Sequence, residues 1–206
     1  MALNIITFLK TYFATTGIKL AAGSAAIGKL AANSGVDIGD VDVKSIAAGE
    51  THLGEVGGSG ITIQQTPTVT AGAYSANDAV GGLLTFANAG RVSGRGGVVK
   101  NVLLIDDAGQ DAVMELWLFD VTFTAMVDNA AWAPSQADLR NLVCVISTND
   151  SANGWAAAGT PSVCSVECSY RYDPTATSLF GQLVTRGTPT FAATDDVTVQ
   201  IGLLRD

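Results

Sequence analysis

From residue 61 onward, apolar and polar positions alternate with a period of two, the mark of half-buried strands. The clearest run is 163–172. Cys164, Val166, Cys168, Tyr170 and Tyr172 fall on one side, and Ser165, Glu167, Ser169 and Arg171 on the other. Residues 197–204 repeat the pattern, with Val197, Val199, Ile201 and Leu203 set against Thr198, Gln200 and Gly202. Residues 98–105 and 113–119 are more uniformly apolar, as central strands are. Between them, Asp106-Asp107-Ala108-Gly109-Gln110-Asp111 predicts a hairpin turn. Shorter candidates at 61–64, 68–74, 82–86, 142–147 and 179–184 bring the expected total to about nine strands. The one helix signal is Pro134–Arg140, with Ser135 as cap and Asp138 placed to return the bond. Many short strands without alternating helices predict a mainly β fold, an antiparallel β-sandwich of jelly-roll-like type.

The first 60 residues are patterned differently. They hold 10 of the 23 glycines and four of the five lysines, but no proline and no tryptophan. The change falls at Gly57-Gly58-Ser59-Gly60, which has the composition of a flexible joint. The expected organisation is therefore an N-terminal glycine-rich extended arm, residues 1–60, and a β-sandwich body, residues 61–206. Ile5, Ile6, Phe8, Leu9, Tyr12 and Phe13 fit a short amphipathic helix ending near Gly17, or an extended strand-like start. An irregular repeat follows: Ile27-Gly28-Lys29-Leu30, Ile38-Gly39-Asp40-Val41 and Leu53-Gly54-Glu55-Val56. Its unequal spacing excludes a regular solenoid. Two apolar side chains around a glycine are too few for a core, so the arm is expected to gain order by docking on neighbours. Phe8, Tyr12, Phe13, Ile27, Leu30, Ile38, Val41, Leu53 and Val56 are its candidate partner-binding residues.

Composition narrows the function classes. Apolar residues make up 48% and charged residues 15% of the 206 positions. That is too apolar for a disordered chain. It is also too sparsely charged to cover a monomer's whole surface, which implies contact with other subunits. The formal net charge of −8 disfavours nucleic acid and anionic lipid as partners. The sequence has no run of 18 uncharged apolar residues to span a membrane, and the start lacks the basic region of a secretory signal. Three cysteines, Cys144, Cys164 and Cys168, do not make a disulfide framework. Free, buried thiols formed in a reducing compartment are expected.

Catalytic signatures are thin. His52 is the only histidine, and it sits in the arm, so a nucleophile–histidine pair would depend on it alone. The cysteine and histidine spacing does not suit zinc. Ser93-Gly94-Arg95-Gly96-Gly97 lacks the ending of a phosphate loop and leads into a strand. Asp106, Asp107 and Asp111 do not match an EF-hand, and aspartates are common in turns. Trp117, Phe119, Phe123 and Trp132 suit either a sugar-binding groove or a core. The expectation is a non-enzymatic protein with no cofactor and no metal.

Three stretches resemble segments of structural proteins of tailed bacteriophages. They are residues 29–43 (Lys-Leu-Ala-Ala-Asn-Ser-Gly-Val-Asp-Ile-Gly-Asp-Val-Asp-Val), residues 66–91 and residues 115–120 (Glu-Leu-Trp-Leu-Phe-Asp). The resemblance implies a virion protein made in the host cytoplasm, of the capsid decoration or cement type, with a β-sandwich body. It implies the major capsid protein as partner, and self-association as a trimer more readily than a dimer. It brings no family active site. The alternative is a head-fibre or tail-appendage module that binds host-surface carbohydrate or a receptor.

Overall fold

The computed structural model describes residues 59–206. The arm, its helical or extended start and its repeat units lie outside the described residues. Within them, nine strands form two antiparallel sheets. The strands are β1 (Ser59–Gln65), β2 (Ala79–Phe86), β3 (Gly97–Asp106), β4 (Met114–Phe119), β5 (Leu142–Ser147), β6 (Trp155–Ala157), β7 (Ser162–Tyr172), β8 (Leu179–Thr185) and β9 (Val197–Arg205). One sheet has the order β1-β9-β3-β7-β6, and the other β2-β8-β4-β5.

The pairing is nested. β1 pairs with β9, β2 with β8, β3 with β7 and β4 with β5. With the short β6 set aside, this is one long antiparallel ribbon folded across two layers, the jelly-roll arrangement. The mainly β, jelly-roll-like sandwich expected from the sequence is what the body adopts.

The core lies between the sheets. Val102 and Leu104 of β3, Val199 and Ile201 of β9, and Cys164 and Val166 of β7 come from one side. Leu84 and Phe86 of β2, Leu116 and Leu118 of β4, Ile146 of β5 and Leu183 of β8 come from the other. All three cysteines are free, with Cys144 and Cys164 buried and Cys168 partly so. Tyr172 is buried and donates its hydroxyl to the Ala89 carbonyl at 2.8 Å, which ties β7 to the β2–β3 connection.

Several expectations need correction. Residues 106–111 are not a hairpin turn. Asp106 ends β3 in the five-stranded sheet and Met114 opens β4 in the other, so the intervening segment crosses between layers. Residues 68–74 are not a strand. They cross from β1 to β2, held by Val69 N–H to the Thr194 carbonyl, Tyr74 N–H to the Pro189 carbonyl and one isolated bridge, Ala73 with Thr190. Pro189 has no N–H to continue a ladder there. Tyr170 is 41% exposed; the register is irregular there, with Cys168 and Ser169 of β7 set against the single Lys100 of β3. β1 begins at Ser59, so the last two residues of the expected joint belong to the body's first strand.

The helix signal gives a single turn, α1 (Gln136–Leu139). Ser135 Oγ accepts the Asp138 N–H as expected, but the Asp138 carboxylate takes the Ser135 hydroxyl at 2.6 Å and not its backbone N–H. A reciprocal capping box instead starts the 3₁₀ turn Thr148–Asp150, between Ser147 and Asp150.

The burial pattern makes a paired prediction. Leu104→Ala removes a fully buried side chain and should cost about 2–5 kcal/mol in denaturant unfolding. Leu204→Ala, on the same sheet but 38% exposed, should stay within about 0.5 kcal/mol of the parent.

Candidate interaction surface

A sandwich buries the inner faces of its sheets, and the fate of each outer face is a separate matter. The four-stranded sheet has its outer face covered by the long β4–β5 connection, residues 120–141. Trp117, Phe119, Phe123 and Trp132 meet there. The ring centroids lie 5.3 Å apart for Trp117–Trp132, 4.1 Å for Phe119–Phe123 and 6.3 Å for Phe123–Trp132. Phe119 and Phe123 are buried, so the four aromatics pack on one another as a small second core. The open sugar groove considered from the sequence is not formed by them.

Polar side chains pin this cover. Gln182, fully buried on β8, donates to the carbonyls of Gly81 and Met126 at 2.8 and 2.7 Å and accepts the Met126 N–H at 2.9 Å. Asp128 accepts from the Tyr74 hydroxyl at 2.7 Å, the Thr70 hydroxyl at 2.6 Å and the Gly81 N–H at 2.5 Å. Burial, together with the hydrogen bond to the Asp128 carboxylate and its charge, raises the Tyr74 hydroxyl far above the usual phenol range. Gly81 sits at φ +70° with Pro67 against the place a Cβ would take, so only glycine fits where β2 bulges.

Beside the aromatics, Arg186 donates to Glu115 at 2.6 Å and also bonds Asn77. Trp117 Nε1 donates to the same Glu115 carboxylate at 3.0 Å. Burial pushes the Glu115 carboxyl up, but the bonds from Arg186 and Trp117 and the guanidinium charge outweigh it and hold the carboxyl below the usual range.

The five-stranded sheet differs. Among the described residues, no segment is laid across its outer face. Pairing register sets Gly60, Leu204, Val98 and Arg171 in one row there and Thr62, Gly202, Asn101 and Glu167 in the next. Gln64, Gln200, Leu103 and Ser165 follow. Leu103, Ile105, Val98 and Val163 are half-buried on a face whose charges are Lys100, Glu167 and Arg171. A register shift in β3 between Val99 and Asn101 brings Lys100 and Asn101 to the rim of a shallow depression of about 440 Å³. Gly60, Gly202 and Leu204 also line it, and the Asn101 side chain lies directly over Gly202.

The other sequence candidates fall as follows. Phe8, Tyr12, Phe13, Ile27, Leu30, Ile38, Val41, Leu53 and Val56 all lie outside the described residues, as does His52. The Asp106 carboxylate accepts the N–H groups of Ala108, Gln110 and Asp111 at 3.1, 2.8 and 3.1 Å, so it closes its own loop. Burial raises its carboxyl although those three bonds oppose the shift. Asp196 likewise accepts from the N–H groups of Ala192 and Ala193. In the 93–97 loop a Cβ at Gly96 would collide with the Tyr172 backbone, so close chain approach accounts for that glycine. Sequence reasoning missed Gln182 and Asp128. Only the scarcity of buried amides and acids marks them, and burial is not written in the local pattern.

The chain matches no protein-family model and no curated protein.

Two outcomes are expected from the covered face. Gln182→Leu strands the polar backbone groups of Gly81 and Met126, and should cost on the order of 3 kcal/mol in unfolding while opening residues 120–135 to limited proteolysis. Glu115→Gln should cost roughly 1–3 kcal/mol at pH 7. Because the folded-state value of Glu115 is lowered, its contribution is present above an unfolded value of about 4.3 and fades as pH falls through the folded value. The gap between parent and variant in unfolding free energy should therefore close in acid.

Proposed function

We propose that this chain is a non-enzymatic structural protein of a tailed-phage virion, one that decorates the capsid and stabilises it by binding the lattice of the major capsid protein. The observation that carries the reading is the bare outer face of the five-stranded sheet. Among the described residues it is uncovered, carries half-buried Val98, Leu103, Ile105 and Val163 beside Lys100, Glu167 and Arg171, and is backed by a packed core, while the opposite outer face is closed by residues 120–141. A rigid block with one uncommitted face suits a protein that works by lying against others. Two of the stretches that resemble phage structural proteins belong to the body, as the β1–β2 connection with β2 and as β4. The third lies in the arm.

In this reading the arm supplies further contacts. Ile27 with Leu30, Ile38 with Val41 and Leu53 with Val56 each offer a small apolar pair, with Phe8, Tyr12 and Phe13 ahead of them. Each contributes little, but burial at about 25 cal/mol per Å² accumulates along an extended segment. Self-association adds avidity on a repeating lattice. The carbohydrate-binding alternative draws less support, because the aromatics suited to stacking on a sugar ring are packed under the β4–β5 connection.

The test is co-sedimentation of the purified chain with shells assembled from the major capsid protein. Saturation at a fixed ratio is expected. Leu103→Glu with Ile105→Glu on the bare face, and separately deletion of residues 1–58, should each weaken binding by at least about tenfold. Absence of co-sedimentation by the parent chain would sink the reading.

A further inference from the structure

Strand β1 is the outermost strand of the five-stranded sheet, and among the described residues nothing pairs with its second edge. Edge strands present unpaired N–H and C=O groups, and proteins usually blunt them with charge, proline, bulges or short length. The other edges are blunted. The stretch of β7 beyond β6 carries Glu167 and Arg171. β6 is three residues long. β2 is broken by the bulge between Val80 and Leu84. β5 has no exposed residue.

β1 has none of these devices. Its seven residues, Ser-Gly-Ile-Thr-Ile-Gln-Gln, include no charge and no proline. Its register with β9 runs unbroken from Ser59 to Gln65. Exposure alternates strictly, with odd positions half-buried and even positions exposed. Ile61 and Ile63 pack against the core yet keep part of their surface open at the edge.

We infer that β1 is a strand-addition site whose occupant is β1 of a second copy of this chain, paired antiparallel across a two-fold axis. The sequence of β1 is complementary to itself in that register. Centred on Thr62, the pairing sets Ile61 of each copy opposite Ile63 of the other, Thr62 opposite Thr62, and Gly60 opposite Gln64. Half-buried positions then meet half-buried ones, and exposed meet exposed, because an even register sum preserves the side of the sheet. The open flanks of Ile61 and Ile63 cover each other. The net charge of −8 works against association of copies, and β1 adds no charge of its own to that repulsion. The contact is isologous and closes at two copies.

The pairing has a consequence for the bare face. Five strands from each copy join into one continuous sheet of ten, and the two bare faces become a single surface of twice the extent. The inference therefore extends the capsid-docking reading, but it stands without it, since the pairing needs no third protein.

Thr62 is exposed and central, so it can carry the test without disturbing the fold. Light scattering on the full chain should give the mass of an even number of copies. Thr62→Lys and Thr62→Glu each place like charges opposite one another, and each should halve that mass, with dissociation constants raised at least about tenfold. An equimolar mixture of the two variants should recover the parent mass, which a misfolded variant would not do. A monomeric parent, a parent with an odd number of copies, or a variant of unchanged mass overturns the inference. Loss of shell binding with dimerisation intact would count against the capsid reading alone.

Discussion

A two-layer sandwich hides the inner faces of its sheets by folding, but folding alone leaves two outer faces and four edges to be accounted for. In this body the hydrophobic effect is satisfied unevenly. The four-stranded sheet is wrapped by its own β4–β5 connection, which brings Phe119, Phe123, Trp117 and Trp132 into a second small core. Among the described residues the five-stranded sheet receives no such cover, and nothing pairs with the outer edge of β1. The functional reading depends on that asymmetry.

The buried polar groups reinforce it. Gln182 satisfies both chains of a loop-to-sheet crossing, and Asp128 gathers three donors from separate segments. Asp106 and Asp196 close the loops that join the layers. Each of these side chains makes at least two hydrogen bonds with neighbouring backbone or hydroxyl groups, which ties down the connections between strands.

Much of the fold was legible in the sequence, because period-two alternation reports directly which side of a strand is buried. Eight of the nine expected strands form, within one to three residues at their ends. The failures have physical causes. The 106–111 segment has hairpin composition, yet nothing local tells that its flanking strands belong to different layers. The 68–74 segment alternates in sequence through Val69, Ala71 and Ala73, but Ala71 and Ala73 are exposed and only Val69 and Tyr74 are buried, so the alternation does not report a buried side. β6 is too short to show a period. The aromatics were correctly singled out as a group, but whether they line a groove or fill a core depends on where residues 120–141 run, a question of tertiary placement. Of the nine arm candidates, six come from an irregular repeat and Phe8, Tyr12 and Phe13 from an apolar stripe, and all lie outside the described residues. The body's uncovered face was not signalled at all, since half-buried Leu103 and Ile105 look like any central strand.

The most direct test of the account is hydroxyl-radical footprinting of side chains on the full chain, free and bound to shells of the major capsid protein. Leu103, Ile105 and Leu204 should lose reactivity on binding, while Val127 and Leu139 on the covered side keep theirs. Protection of Val127 and Leu139 with Leu103 and Ile105 unchanged would show that the body docks through the opposite side, and would contradict the account.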